Sequence, residues 1–126
     1  MLAESRFGKY LPSPNGIHFT QYMARDEPDA TDHEEAVKLL RRVLADQPDQ
    51  SVVLIGVGYM TNLARLLDSQ PDSASSLAGR ALVSAKVRFL SAMAGNFTSR
   101  EAREFNLELD VPAARKVFEQ WPTPIV

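Results

Sequence analysis

The run Ser51-Val52-Val53-Leu54-Ile55-Gly56-Val57-Gly58 constrains the fold more than any other stretch. Its apolar, mostly β-branched residues occupy successive positions, the pattern of a strand buried on both faces of a parallel sheet. Upstream, Ala36, Val37, Leu39, Leu40, Val43 and Leu44 recur at helical spacing until "QPDQ" ends the pattern. Lys38, Arg41, Arg42 and Asp46 are then expected on the solvated face. The preceding "TDHE" has the form of a capping box, Thr31 accepting from the backbone N–H of Glu34 while Glu34 reaches back to Thr31.

Downstream, "YMTNLARLLDSQPD" predicts a short helix with Leu63, Leu66 and Leu67 on one face. "SLAGRALVSAK" predicts another, weakened by Gly79, and "VRFLSAMAG" a second buried strand. In "VPAARKVFEQW", Pro112 suits a first helical turn, Asp110 can cap it, and Ala114, Val117, Phe118 and Trp121 form an apolar face. "TPIV" then begins a third strand. This alternation is that of an α/β fold, a Rossmann-like three-layer sandwich with a mainly parallel sheet. Residues 1–30 hold Pro12, Pro14, Gly16 and Pro28 without apolar period, so they read as a loop-rich segment before an α/β region at 31–126. An end at Ile125-Val126, just as a strand begins, reads as a fragment or a half that self-associates or needs a complementing chain.

With 126 residues and 44% hydrophobic content, one ordinary core is expected. A net charge of -2 with interspersed signs provides no field for nucleic acid or an anionic membrane surface. The apolar run from Val52 to Met60 is too short to span a bilayer, and the absence of cysteine removes disulfides and thiolate metal sites. The expected compartment is the cytoplasm.

In open α/β sheets, ligands gather outside the carboxyl ends of the strands, which here means Gly56 to Thr61 and Gly95 to Asn106. If Glu104-Phe105-Asn106 is extended, both polar side chains face one way and Phe105 faces the core. A carboxylate beside a carboxamide can hold vicinal hydroxyls, since each hydroxyl donates and accepts. Alone, the triplet reads as a solvated loop or strand edge. Gly56-Val57-Gly58 is a weak dinucleotide signal because no third glycine follows. His18 and His33 lack a second metal ligand at useful spacing. Trp121 reads as core, Asp68 and Asp72 as helix-end or turn residues, and "EEAVKLLRR" as a solvated face.

Read in order, "IGVGYMTNLARLL", "FLSAMAGNFT", "EFNLELDVPAARKVF" and "WPTPIV" resemble the inosine-uridine preferring, calcium-dependent nucleoside hydrolases over roughly residues 30–126. That family's succession of G-x-x-T-N-x-A, M-x-G, G-N-x-T, E-[FY]-N and D-x-x-A-A is all present. The resemblance implies a fragment of the nucleoside hydrolase fold and hydrolysis of the N-glycosidic bond of ribonucleosides. It implies calcium, with Thr61 supplying a backbone carbonyl ligand and Asn62 bracing the turn. It further implies that Met93 lines the ribose or base pocket and that Asn96, Glu104 and Asn106 hold ribose hydroxyls. The metal would orient the sugar diols and activate the attacking water.

The sequence departs from the family at one decisive place: nothing in it matches the aspartate-rich D-x-D-x-G-x-D-D motif that supplies most calcium ligands and the general base. "RDEPDATDHEE" is acidic but lacks the glycine and the preceding strand. The family's later histidine-aspartate pair would lie beyond Val126, two extra residues separate Asn96 from Glu104, and Ser99 stands where proline is usual. The expectation is therefore an isolated chain carrying one wall of the site and little or no activity. The alternative is a non-catalytic module that binds a partner chain or a sugar-like ligand.

Overall fold

The computed structural model describes residues 35–96, 98–99 and 103–126; the capping box at 31–34, both histidines and the first thirty residues lie outside them. The chain divides into two units, Met1–Ala36 and Val37–Val126. The elements are α1 (Ala36–Ala45), β1 (Val52–Gly56), α2 (Thr61–Asp68), α3 (Gly79–Lys86), β2 (Val87–Ala92), α4 (Phe105–Glu108) and α5 (Val111–Gln120). β1 and β2 pair in parallel, from Val52 opposite Val87 to Gly56 opposite Ala92. The third strand is a single parallel bridge between Ile125 and Leu90. There, the Leu90 N–H donates to the Pro124 carbonyl at 2.9 Å and the Val126 N–H to the Leu90 carbonyl at 2.9 Å. Helices and a small parallel sheet make an incomplete α/β fold of the predicted kind. Among the described residues no helix is long and apolar enough to cross a membrane.

The core lies on one face of this sheet. Leu54 and Leu90 join a cluster with Met60, Leu66, Leu82, Val83, Val117 and Trp121, so Trp121 is core as expected. Its indole N–H is satisfied by the Thr123 hydroxyl at 3.0 Å. The expectation that β1 is buried on both faces fails, because Val53 and Ile55 are 40% and 72% exposed. Alternation gives each strand two faces, and the described core covers only the one that carries Leu54 and Leu90.

α1 also departs from its expected orientation. Leu39 and Val43 are exposed, whereas Arg41 is 2% exposed. Val37, Arg41 and Leu44 form one i, i+4, i+7 stripe, so the guanidinium enters the apolar face rather than the solvated one. Its Nε and Nη2 donate to the two carboxylate oxygens of Asp72 at 2.8 and 3.1 Å. Nη1 donates to the Ser69 hydroxyl at 2.9 Å, and Nη2 also donates to the Ser75 and Leu77 carbonyls at 3.0 and 2.9 Å. A buried cation persists only when so paired, and here it clamps the segment that joins α2 to α3.

Gly79 does not weaken its helix but makes the helix fit. It is the first residue of α3, and its N–H donates to the Ser69 carbonyl at 2.8 Å. A Cβ there would stand 1.6 Å from the Leu66 carbonyl oxygen and 2.5 Å from the Ser69 hydroxyl. Only a bare α carbon lets the two backbones approach this closely.

Two predictions test this arrangement. Arg41, followed by the Ser75 and Ala74 backbone N–H groups, holds the Asp72 carboxyl down from 3.8 to about 2. The folded chain thus binds this proton less readily than the unfolded one. The contribution is complete above pH 3.8 and lost as pH falls through about 2. Urea titrations across that window will show stability falling with acid in wild type and more shallowly in Asp72→Asn. Gly79→Ala will cost about 3 kcal/mol or more in the same titration at neutral pH, the upper end of overpacking. Gly58→Ala, where nothing lies within 4 Å, will stay within about 0.5 kcal/mol.

Candidate active-site wall at the strand edge

Because β1 and β2 run parallel and end at the paired residues Gly56 and Ala92, the loops that follow them leave from one edge of the sheet. The two are tied there, the Met93 N–H donating to the Gly56 carbonyl at 2.8 Å. Gly95 has φ 91°, a left-handed conformation that suits glycine and turns the chain away after β2. The Met93 side chain is 58% exposed at this edge.

The Glu104-Phe105-Asn106 stretch does not stay extended. Glu104 itself is extended, with φ -121° and ψ 125°, but Phe105 opens the helix α4. Glu104 caps that helix, Oε1 accepting from the Asn106 N–H at 3.0 Å and Oε2 from the Leu107 N–H at 2.9 Å. These bonds satisfy two donors that a helix start leaves unpaired, and a carboxylate also suits the positive end of the helix dipole. The helical turn reverses the expected facing: Asn106 is buried and Phe105 is 49% exposed. Asn106 Nδ2 donates to the Met93 carbonyl at 3.0 Å, so Met93 is held through both its N–H and its carbonyl. The Phe105 ring stands 5.9 Å from that of Tyr59, tilted by 51°. Tyr59 has its phenol pKa raised by burial.

Asn96 is exposed and folds on itself, Oδ1 accepting from the Thr98 N–H at 3.2 Å and the Thr98 hydroxyl at 2.8 Å. Its Nδ2 reaches the Arg103 carbonyl at 3.5 Å, beside Glu104. Thr61 is the first residue of α2, and its hydroxyl donates to Asp110 Oδ2. Asn62, expected to brace this turn, is exposed. The structure therefore joins Met93 with Asn106, links Asn96 toward Glu104, and ties Thr61 to Asp110.

Calcium takes six to eight oxygen ligands. Among the described residues no three His, Asp or Glu side chains gather to hold a metal. Asp110, the carboxylate nearest Thr61, is already committed to that hydroxyl and to the Ala113 N–H at 3.2 Å. The described residues thus do not fit a calcium cage. A shallow cleft of about 420 Å³ lies between α4 and α5, lined by Leu107, Val111, Ala114 and Phe118 and rimmed by Arg103 and Arg115. Of the expected site residues only Glu104 borders it.

The bond between Thr61 and Asp110 and the ring pair of Tyr59 and Phe105 were not readable from sequence. Asp110 announces itself as a cap through Pro112, yet nothing local indicates a partner 49 residues away. The i+1 placement of Phe105 after a capping glutamate is the signal that would have turned it outward.

The family model described as inosine-uridine preferring nucleoside hydrolase matches residues 4–126. No curated protein and no solved structure matches the chain.

The capping role of Glu104 gives a direct test. Glu104→Ala will lower stability by about 1 kcal/mol in urea denaturation, the usual cost of a lost N-cap. Glu104→Gln, which keeps one acceptor oxygen, will lose about half as much.

Proposed function

The chain belongs to the inosine-uridine preferring nucleoside hydrolase family, and on that premise we propose that it supplies the sugar-facing wall of a site for hydrolysing the N-glycosidic bond of ribonucleosides. The observation that carries this reading is the meeting of Met93, Glu104 and Asn106 beyond the carboxyl ends of two parallel strands. Met93 offers an exposed thioether to the sugar or base. Each Glu104 oxygen accepts one backbone bond and keeps a second lone-pair direction for a ribose hydroxyl. In Asn106 the amide nitrogen is engaged by Met93, which leaves its oxygen to accept from the sugar. Asn96 is exposed, with its Nδ2 3.5 Å from the carbonyl of Arg103, the residue before Glu104.

Cleavage of an N-glycosidic bond passes through an oxocarbenium-like ribose. Hydroxyl contacts that tighten on the distorted ring favour that state over the bound substrate. Calcium, with the Thr61 carbonyl as one ligand, is the metal the family implies. Since the described residues do not form its cage, the reading rests on the sugar contacts. That same observation favours a second reading, a non-catalytic module that binds a sugar-like ligand or a partner chain.

Inosine and uridine binding by saturation-transfer NMR, with ribose release assayed in parallel, separates the two. Both ribonucleosides will bind the purified chain, and their 2′-deoxy counterparts about tenfold more weakly, the effect of one lost polar contact. Ribose release abolished by chelation establishes the hydrolase; binding without release establishes the module. If neither ribonucleoside binds, the hydrolase and the sugar-binding module both fall.

A further inference from the structure

α2 begins without a side-chain cap of its own. Its N-cap residue is Met60, which is fully buried and whose side chain accepts from none of the helix's first N–H groups. The first part of the preceding loop has little packing, since Val57 is exposed and nothing lies within 4 Å of a Cβ built on Gly58, while Tyr59 and Met60 are packed. What reaches this turn is Asp110, the N-cap of α5. One of its oxygens accepts from the Ala113 N–H at 3.2 Å, and the other accepts from the Thr61 hydroxyl.

A second cross-link fixes the relative direction of the two helices. Lys116, further along α5, pairs with Asp68 at the end of α2. Thr61 to Asp68 and Asp110 to Lys116 advance together, so α2 and α5 pack side by side and parallel. Both N-termini therefore lie at the strand edge, where their positive dipole ends would repel each other. A half-buried carboxylate shared between them offsets that repulsion and hydrogen-bonds to both.

From this we infer that Thr61 and Asp110 form a positioning pair that sets the loop from Gly56 to Thr61 against α5, with Asp110 acting on the site through Thr61. The inference rests on the reading of Thr61 as a site residue. Asp110 touches no ligand in this role. It fixes the height of the Thr61 turn relative to Met93, because β1 and β2 already fix Gly56 against Met93.

The test uses Thr61→Val, which removes the hydroxyl but keeps the volume and leaves the cap of α5 intact, with Thr61→Ser as the conservative rescue. Amide hydrogen exchange in the whole chain will rise on the order of tenfold at residues 57–62 in Thr61→Val, as expected when one charge-assisted bond that limits local opening is lost. Exchange at Ala113 and Ala114 will stay near wild type, and Thr61→Ser will restore protection. Inosine affinity, read by saturation-transfer NMR, will fall severalfold in Thr61→Val and recover in Thr61→Ser. Unchanged exchange at residues 57–62 overturns the inference, and so does a uniform rise across the chain, which would make the pair a general stability contact. A loosened loop with unchanged inosine affinity also overturns it. If wild type binds no inosine, the proposed function fails, while the exchange pattern still decides whether the pair holds the loop.

Discussion

Parallel pairing of β1 with β2, in a register that sets Gly56 opposite Ala92, is the constraint from which the remaining geometry follows. Parallel strands must be joined by a crossover, so the chain between them has to travel back along the sheet and supply a covering layer. α2 and α3 do this, and their apolar faces bring Leu66, Leu67, Leu82 and Val83 onto Leu54 and Leu90. The same register sends the loops after both strands to one edge. The gathering of both loops at that edge is thus a consequence of topology before any side chain is considered.

The crossover is held by two features of opposite chemistry. A buried guanidinium gathers Ser69, Asp72, Ser75 and Leu77, and a glycine lets α3 start against the backbone of Leu66 and Ser69. Removing one partner of a buried charge costs far more than the pair itself contributes, because the survivor stays desolvated. This segment therefore has little freedom to drift, and α2, which it follows, is anchored at its C-terminal end. At its N-terminal end α2 is anchored by Thr61. The strand-edge loop hangs between β1 and this fixed helix.

Acidic side chains at the edge serve the helices first. Glu104 caps α4 and Asp110 caps α5, each through its own backbone N–H partners. Capping does not exhaust them, since a carboxylate oxygen can accept more than one hydrogen bond. Capping also orients them: a free glutamate samples many rotamers, whereas one bonded to two N–H groups presents its remaining lone pairs in fixed directions. Glu104 and Asp110 are thus held at helix starts rather than in loose loop.

Much of this was legible in the sequence. The β-branched run at Val52, the helical period from Ala36 and the proline after Asp110 are signals carried by residues within a few positions of one another, and they yielded the α/β alternation, the two strands and the α5 cap. Even the depth of Arg41 was present in its i+4 and i+3 spacing from Val37 and Leu44, though its polarity argued the other way. The residues of the family motifs were likewise legible, and with them the identity of the candidate wall. What only the tertiary structure decided is where their atoms point. Asn106 turns to Met93 across 13 residues, Thr61 to Asp110 across 49, and Arg41 to Asp72 across 31. Periodicity and capping are local physics, set by dihedral preferences and unpaired backbone groups close by. The choice of a distant hydrogen-bond partner depends on which elements the parallel sheet brings side by side.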